Sequence, residues 1–287
     1  MKIKVEEHTD ERIDRYLARK LGHYSRSFIQ KAIRSGQILV NGRLTTPRYK
    51  IVVGDIIDAE IIPPIDVSRI IPAEIKPDII YEDEHLLAIN KPSGLVVHPA
   101  PGHYNDTLLN GLVKYANGNF PVFLVHRLDK DTSGIMLVAK SEIAKHSLSR
   151  QFQNRTIEKV YLAVVAGKMP AGSGIIDASL NRSRKNRLKI AVAPGRNAQT
   201  RFVVKQETDK YSFLEVYPLT GRTHQIRAHL SFIKRPILGD QIYGGGPYKR
   251  LMLHAYRITF QHPITGKTMT LAGPVPPEFK KFAKNLV

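Results

Sequence analysis

Residues 121–139 restrict the fold most, because a charged segment lies there between two short apolar runs. Residues 121–125 and 135–139 are rich in branched apolar side chains and are bounded by turn-forming residues, which predicts two buried strands. The connecting residues 126–134 have the sequence HRLDKDTSG. A carboxylate beside a core is costly unless a cation pairs with it. Asp129 is therefore a candidate catalytic residue.

The acids of this segment permit two other interpretations. On an extended strand Asp129 and Asp131 would share one face about 6.5–7 Å apart, as in a glycoside hydrolase pair. Both come from one tight segment, however, and the chain has no tryptophan to stack on a sugar. The string also resembles a kinase catalytic loop, but its order differs and no Asp-Phe-Gly follows. For Asp131 we favour a role in closing a turn with Thr132 and Ser133.

The charge balance favours a polyanionic partner. The 44 lysines and arginines exceed the 25 acids by 19, and displacement of counterions from phosphates drives association with such a chain. An acidic membrane is the alternative, but no run approaches about 18 consecutive apolar residues. We therefore expect a nucleic-acid partner and no membrane.

The residue types also exclude several classes of site. The chain has no cysteine, which rules out disulfides, thiolate nucleophiles and cysteine-based zinc sites. No His-Glu-x-x-His motif and no phosphate-binding loop occur, so we expect neither a metal nor a nucleotide cofactor. The first residues lack the apolar core of a signal peptide, which makes the cytoplasm the expected compartment.

Residues 1–62 are predicted to form a small module of helices and strands. An amphipathic helix begins after Asp10, a second begins at Ser25, and the turn at Asn41-Gly42 predicts a hairpin before a strand at 55–62. The second helix and the hairpin carry cations with few acids, which favours a phosphate-binding surface over an ordinary solvated face. These cations are Arg26, Lys31, Arg34, Arg43 and Arg48. The pattern resembles the S4-type RNA-binding domain.

The rest of the chain is predicted to be one larger domain. Residues 63–77 contain several prolines without periodicity, which predicts a stiff linker. Residues 78–287 contain many short strands and few helices. This pattern predicts an α+β fold with a mixed, largely antiparallel sheet.

Residues 221–227, with the sequence GRTHQIR, are a second candidate for chemistry at a strand-to-helix junction, where a helix is predicted to open at Thr223. A cation at a helix N-terminus opposes the helix dipole, so Arg222 needs an anion, and Asp129 needs a cation. We expect the two to pair, which would keep the carboxylate ionised. The alternative is that Arg222 binds a nearby carbonyl or phosphate.

Two further features are candidates for contact with RNA. Tyr161 shares a strand face with Lys159; its ring either packs as an amphipathic core residue or stacks on a base, with a hydroxyl that exchanges a proton. Residues 181–189 hold five cations, either a solvated run or a patch that follows an RNA backbone. The cations assigned to that patch are Arg182, Arg184, Lys185 and Arg187.

Together, these motifs resemble those of the RluA-type pseudouridine synthases, RNA-modifying enzymes that often carry an N-terminal S4 domain. The resemblance covers about 78–287 and depends on several strings in the family's order. They are INKP at 89–92 with Gly94, HRLD at 126–129 with TSG at 132–134, Lys159-x-Tyr161, GRTHQIR at 221–227, LGD at 238–240 with Tyr243-Gly244, and LHA at 253–255.

The resemblance implies the pseudouridine synthase fold and an isomerase that detaches uracil from ribose C1′ and rejoins it through C5. It implies that Asp129 attacks the ribose or the base or deprotonates C2′, and that Arg222 orients it. Tyr161 would stack on the ring and help to remove the C5 proton. A flipped uridine would leave a gap that Arg127 fills. The apolar wall around the base would be formed by Ile226 and Leu253.

The expected substrate is large-subunit ribosomal RNA. Two alternatives remain open at this point: a synthase that acts on transfer RNA, and a non-catalytic RNA-binding or ribosome-assembly factor that kept the fold. The motifs do not specify the target uridines, their number or the oligomeric state.

Overall fold

The structure is a computed structural model that divides into two compact units, Met1–Arg69 and Ile70–Val287. The division lies inside the segment predicted as a linker. The part of the chain that the structure describes comprises residues 1–7, 10–22, 24, 26–59, 70–100, 102–183, 186 and 189–282.

The N-terminal unit contains two helices and a four-stranded antiparallel sheet of order β1-β4-β2-β3. Its elements are β1 (Lys2–Lys4), α1 (Ile13–Leu21), α2 (Arg26–Arg34), β2 (Ile38–Val40), β3 (Arg43–Leu44) and β4 (Ile56–Ala59). Apolar residues at helical spacing, such as Ile13 and Leu17 of α1 and Ile29 and Ile33 of α2, are buried in one core cluster. The predicted helices and hairpin are present, and the strand predicted at 55–62 is present as β4. Residues 60–62 and the predicted cap Ser25 lie outside the described residues.

The C-terminal unit is built around a ten-stranded sheet. Its helices are α3 (Leu108–Ala116), α4 (Glu142–Asn154), α5 (Gln225–Phe232) and α6 (Pro277–Lys280). Its strands are β5 (Ile79–Glu82), β6 (Leu86–Lys91), β7 (Phe123–Leu124), β8 (Ser133–Ala139), β9 (Glu158–Ala166), β10 (Ser173–Asp177), β11 (Leu180–Arg182), β12 (Ile190–Val192), β13 (Gln199–Glu207), β14 (Tyr211–Pro218), β15 (Leu253–Gln261) and β16 (Thr268–Ala272).

The main sheet is mixed and largely antiparallel, which confirms the predicted fold class. Its order is β10-β13-β14-β9-β15-β8-β6-β5, with β16 beside β15 and β7 beside β8. Its described neighbouring strands are antiparallel except for β8 and β15, which run parallel. β11 and β12 form a separate two-stranded hairpin.

The two apolar runs of residues 121–139 differ in burial. β8 is buried along its whole length, as predicted. The first run is not a buried strand: only β7 within it is extended, and both residues of β7 are partly exposed. β15 pairs with β8 at Ser133 and Gly134, whereas β7 pairs with β8 at Val138 and Ala139. One edge of β8 is thus shared: β15 pairs with its first two residues and β7 with its last two.

Gly134 sets the distance between the parallel strands. Its φ is +116°, a conformation that side chains rarely adopt, and an added Cβ would overlap the carbonyl of Ala255 on β15. A glycine is therefore required where β8 enters the sheet beside β15. This entry point places Asp129, which lies just before β8, at the end of the paired strands.

Candidate active site

A cavity of about 500 Å³ opens where six parts of the C-terminal unit meet. They are the segment before β8, the end of α4, the first half of β9, the segment between β14 and α5, the first turn of α5 and the start of β15. Four lining residues to which the resemblance assigned a role come from four different parts. These residues are Asp129, Tyr161, Ile226 and Leu253. The structure thus brings together side chains that are far apart in the sequence.

Asp129 lies in the wall of this cavity beside a cation. Its side chain is 19% exposed, and its Oδ2 lies 3.6 Å from Nη1 of Arg227. Nε2 of His224 lies 3.9 Å from the same oxygen. The Thr132 N–H donates to the Asp129 carbonyl, which closes a turn around the residue. The carboxylate is accessible from the cavity and is paired with a guanidinium.

Arg227 is held by a second, fully buried acid. Its Nε and Nη2 donate to the two carboxylate oxygens of Asp240 at 2.8 and 2.9 Å, a bidentate geometry that lysine cannot reproduce. Burial opposes the charged guanidinium, but the hydrogen bond and charge of Asp240 and the charge of Asp129 outweigh it and raise the pKa of Arg227. The guanidinium is therefore a fixed positive charge between two acids.

The predicted pairing of Asp129 with Arg222 is wrong. Arg222 lines the same cavity, but its Nε donates to the Asn197 carbonyl at 3.2 Å, and no ion pair joins it to Asp129 among the described residues. The reason is where α5 begins. We expected the helix to open at Thr223, but it begins at Gln225, after His224 adopts a left-handed conformation with φ +52°. Arg222 therefore lies outside the helix, and Arg227 in its first turn reaches Asp129.

A buried lysine supports the segment that contains Asp129. Nζ of Lys91 donates to the carbonyls of Pro92, Leu95 and Lys130, each at 2.8 Å. Burial lowers the pKa of Lys91 to about 7, although the charges of nearby acids oppose the shift. Lys91 therefore ties the loop after β6 to the backbone directly after Asp129.

Tyr161 and two apolar residues surround the space in front of Asp129. Burial, and then the nearby charge of Asp129, raise the pKa of the Tyr161 hydroxyl, so it is protonated near neutral pH. Ile226 is 6% exposed and Leu253 is 3% exposed. The aromatic ring and the apolar side chains can together hold a planar ring against the Asp129 carboxylate.

His224 lies beside Asp129 as a neutral side chain. Burial lowers the pKa of His224, although the charge of Asp129 opposes this. Its Nδ1 lies 3.2 Å from the Tyr243 hydroxyl, and the two rings meet edge to face. The Tyr243 ring also contacts Arg227, whose guanidinium carbon lies 5.1 Å from the ring centre. His224 and Tyr243 therefore help to position Arg227.

The predicted RNA-binding cations of the N-terminal unit have varied surroundings. Arg26 binds the buried carboxylate of Asp14 at 3.0 Å, yet it also lines a surface cavity together with Arg34. Arg43 is exposed on β3, and the Lys31 side chain lies outside the described residues. The cavity is lined by Arg12, Arg26, Gln30, Arg34, Thr45, Thr46, Pro47 and Arg48.

The basic run of the C-terminal unit is described only in part. Arg184, Lys185 and Arg187 lie outside the described residues, whereas Arg182 is exposed at the end of β11. Arg127, which was expected to fill the place of a flipped base, lines the cavity that contains Asp129.

Comparison with known proteins places this cavity in an enzyme family. A family model described as RNA pseudouridylate synthase matches residues 85–232, and an S4 domain model matches residues 11–57. The chain belongs to the RNA pseudouridylate synthase family. It is an RNA pseudouridine synthase, an isomerase that acts on RNA, as the resemblance implied.

Relatives of this synthase are similar over most of their length. An uncharacterized RNA pseudouridine synthase of Bacillus subtilis, YlyB, is 39% identical over 98% of this chain and 96% of its own. The ribosomal large subunit pseudouridine synthase D of Neisseria meningitidis serogroup B is 39% identical over 92% of this chain and 76% of its own. The protein of that name from Xylella fastidiosa is 37% identical, over 92% and 86%.

Solved structures share the fold of the synthase. Human RNA Pseudouridylate Synthase Domain Containing 4 matches with a TM-score of 0.59 and 26% identity, covering 70% of this chain and 90% of its own. Human RNA Pseudouridylate Synthase Domain Containing 1 has a TM-score of 0.62 at 24% identity, covers 78% of this chain and 90% of its own, and shows the fold alone.

In the part of the synthase that is described, no helix is long and apolar enough to cross a membrane.

The sequence motifs alone assign no role to Arg227 or Asp240. The sequence contains one signal for Arg227. Arg227 directly follows Ile226 and lies three residues before Leu230, so helical spacing places its cation at the edge of a buried helix face. Such a cation requires an anion. Asp240 carries no comparable signal, because the loop between α5 and β15 brings it to Arg227.

Proposed function

We propose that this synthase converts uridines of large-subunit ribosomal RNA to pseudouridine, with Asp129 as the catalytic carboxylate. The substrate is supported by the names of relatives that are 37–39% identical over 92% of the chain. The catalytic assignment rests on one observation: among the described residues that line the cavity, Asp129 is the one acid, and it is paired with Arg227.

The proposed reaction conserves every atom of the uridine. The bond from N1 of uracil to C1′ breaks, the ring turns, and C5 bonds to C1′. The proton leaves C5, and N1 gains one. A carboxylate can assist by attacking the ribose or the base or by removing a proton at C2′, and each route requires an accessible Asp129. Arg227 orients that carboxylate through its own fixed contact with Asp240.

The other lining residues have proposed roles in holding the detached ring. Ile226 and Leu253 confine it, and Tyr161 stacks against it. Because its pKa is raised, the Tyr161 hydroxyl enters the reaction protonated and relays the C5 proton rather than removing it as a phenolate. Arg127 fills the space that the flipped uridine leaves, which offsets part of the cost of unstacking. Arg222 contacts the RNA backbone.

Each unit by itself carries cations that are proposed to bind RNA. Those of the N-terminal unit are Arg26, Lys31, Arg34 and Arg43. Those of the run at 181–189 are Arg182, Arg184, Lys185 and Arg187. Their high density favours contacts with phosphates, which are independent of base sequence. The proposed compartment is the cytoplasm.

Mapping the modified positions tests this proposal. RNA from a strain that lacks the gene is treated with carbodiimide, which marks pseudouridine, and is compared with RNA from the same strain carrying the wild-type gene or the Asp129→Ala gene. We expect wild type to restore marks in large-subunit ribosomal RNA, and Asp129→Ala to restore none while still binding that RNA. Marks confined to transfer RNA would overturn the substrate, and an active Asp129→Ala protein would overturn the catalytic assignment.

A further inference from the structure

We infer that Arg155 and Lys159 form a phosphate-binding subsite in the wall of the catalytic cavity. The subsite takes a backbone phosphate of the nucleotide next to the target uridine. The inference rests on the proposed position of that uridine between Asp129 and Tyr161. Its chemistry is that of one phosphodiester anion held by two cations.

Lys159 lines the cavity close to Tyr161. It lies two residues before Tyr161 on β9, on the same face, and both side chains border the cavity. Their spacing along the strand is about 6.5 Å, which is within the reach of one nucleotide from a ring held at Tyr161. Among the described residues its ammonium has no hydrogen bond and no ion pair, although the side chain is partly buried.

Arg155 borders the same cavity in an unfavourable backbone conformation. It is the C-cap of α4 with φ +61° and ψ 30°, where glycine or asparagine is usual. The dipole at a helix C-terminus favours a cation, but this effect is smaller than the cost of a left-handed arginine. No acid in the described part of the chain pairs with its guanidinium. Its charge is therefore available to a ligand.

The two cations repel each other in the free protein. Burial lowers the pKa of Lys159, and the charge of Arg155 lowers it further. The acid of the lining, Asp129, is already paired with Arg227. The lysines and arginines described in the lining are Arg127, Arg155, Lys159, Arg222 and Arg227. The cavity therefore has an excess of positive charge on the side of Arg155 and Lys159.

Arg155 is exposed and Lys159 is partly buried, so an anion of the substrate can reach both cations. The uracil ring is neutral, so it gives no reason to place two unpaired cations in the wall. A phosphodiester supplies a full negative charge and oxygens that accept from both a guanidinium and an ammonium. An RNA strand carries such a group on either side of a nucleotide within the chain. Arg155 and Lys159 thus position the strand, whereas the pocket at Asp129 positions the base.

The test pairs charge removal in the protein with charge removal in the RNA. The probe is a short RNA containing a uridine that wild type modifies, synthesised with a neutral methylphosphonate at one flanking phosphate at a time. With wild type we expect one neutral linkage to raise KM about tenfold or more, with kcat little changed. The double variant Arg155→Gly, Lys159→Gln should show a similar rise on native RNA and no further rise at that linkage.

Further variants separate this role from a structural one. Glycine suits the left-handed backbone at position 155, so Arg155→Gly should unfold at the same temperature as wild type or higher. Arg155→Lys and Lys159→Arg keep the positive charge, so their KM should stay close to the wild-type value. Equal losses in wild type and the double variant at every neutral linkage would overturn the inference. The probe is taken from whichever RNA wild type modifies. If the mapping experiment finds no pseudouridine in large-subunit ribosomal RNA, that result contradicts the proposed substrate but not the phosphate-binding subsite.

Discussion

At the scale of single residues, Arg227 contacts both the carboxylate in the cavity and a buried carboxylate of the fold. Its guanidinium lies between the accessible carboxylate of Asp129 and the buried carboxylate of Asp240. Arg222, from the same sequence motif, is bound to a backbone carbonyl instead. Removal of Arg227 therefore leaves a buried acid without its cation, whereas removal of Arg222 frees only a carbonyl.

Replacement of each arginine by glutamine tests this difference. We expect Arg227→Gln to lower the free energy of unfolding by about 3–5 kcal/mol, because Asp240 stays buried and unpaired, and to abolish pseudouridine formation. Arg222→Gln, the matched control, should change the unfolding free energy by less than about 0.5 kcal/mol. Urea unfolding and single-turnover assays measure the two effects. Equal stability of the two variants would contradict the assignment.

A buried histidine makes the stability of the fold depend on pH. His254 is fully buried, and burial, followed by the charge of Arg250, lowers its pKa from 6.5 to about 3. The unfolded chain therefore binds a proton below pH 6.5 that the folded chain binds only near pH 3. The stabilisation is complete above pH 6.5 and is lost as the pH falls toward 3.

The expected loss can be measured by urea unfolding at pH 7 and pH 5. One such histidine costs about 2 kcal/mol over this interval, at about 1.4 kcal/mol per pH unit below its unfolded pKa. His254→Gln should lose about that much less than wild type between the two pH values. His146, whose side chain is 80% exposed, provides the control, because His146→Gln should follow wild type. An unchanged pH dependence in His254→Gln would argue against the buried neutral histidine.

At the scale of elements, the position of Asp129 depends on how closely β8 approaches β15. The two strands pair in parallel directly after the segment that carries Asp129, and at Gly134 an added Cβ would overlap the backbone of β15. Leu253, the first residue of β15, lines the cavity beside Asp129. Any side chain at Gly134 would push apart the strands that carry two parts of the site.

Alanine substitution of two glycines with positive φ separates backbone strain from overlap. Gly134→Ala should lower the free energy of unfolding by about 3 kcal/mol or more, because the methyl group meets the carbonyl of Ala255. Gly118 has φ +79° and nothing within 4 Å of an added Cβ, so Gly118→Ala should cost about 1 kcal/mol through strain alone. Chemical denaturation compares the two. Similar losses would mean that β8 can move away from β15 at little cost.

At the scale of the whole molecule, the surplus of 19 positive charges includes cations that line a cavity in each unit. In the N-terminal unit Arg34 and Arg48 line such a cavity, whereas Arg19 and Lys50 are paired with acids. Unpaired cations release counterions when they meet phosphates, and paired ones exchange one partner for another. The two kinds should therefore contribute differently to RNA binding.

Two double variants with the same change in net charge test this distinction. Arg34→Gln, Arg48→Gln should reduce the slope of log Kd against log salt concentration by about 1.5, at roughly 0.7–0.9 for each phosphate that the protein no longer neutralises. Arg19→Gln, Lys50→Gln should leave the slope nearly unchanged. The probe is the RNA that wild type modifies, measured from low to physiological salt. Equal slopes in both variants would show that net charge, rather than the cavity, governs binding.

Parts of the fold that depend on local patterns were predicted from the sequence. The helical spacing of Ile13 and Leu17, the turn at Asn41-Gly42 and the continuous apolar run of β8 each specify an element without reference to the rest of the chain. α3 and β13 have weaker local signals and were not predicted. α3 is apolar on most of its surface, and the apolar residues of β13, Phe202, Val203 and Val204, form one run of three without alternation.

The sequence by itself determined the candidate residues Asp129, Tyr161, Ile226 and Leu253, because motif order and residue chemistry are properties of the chain. Only the tertiary structure decided which cation faces Asp129. A single left-handed residue, His224, moves the start of α5 by two positions and exchanges Arg222 for Arg227. Charge pairing depends on distances of a few ångströms, and these are set by packing between distant segments rather than by local pattern.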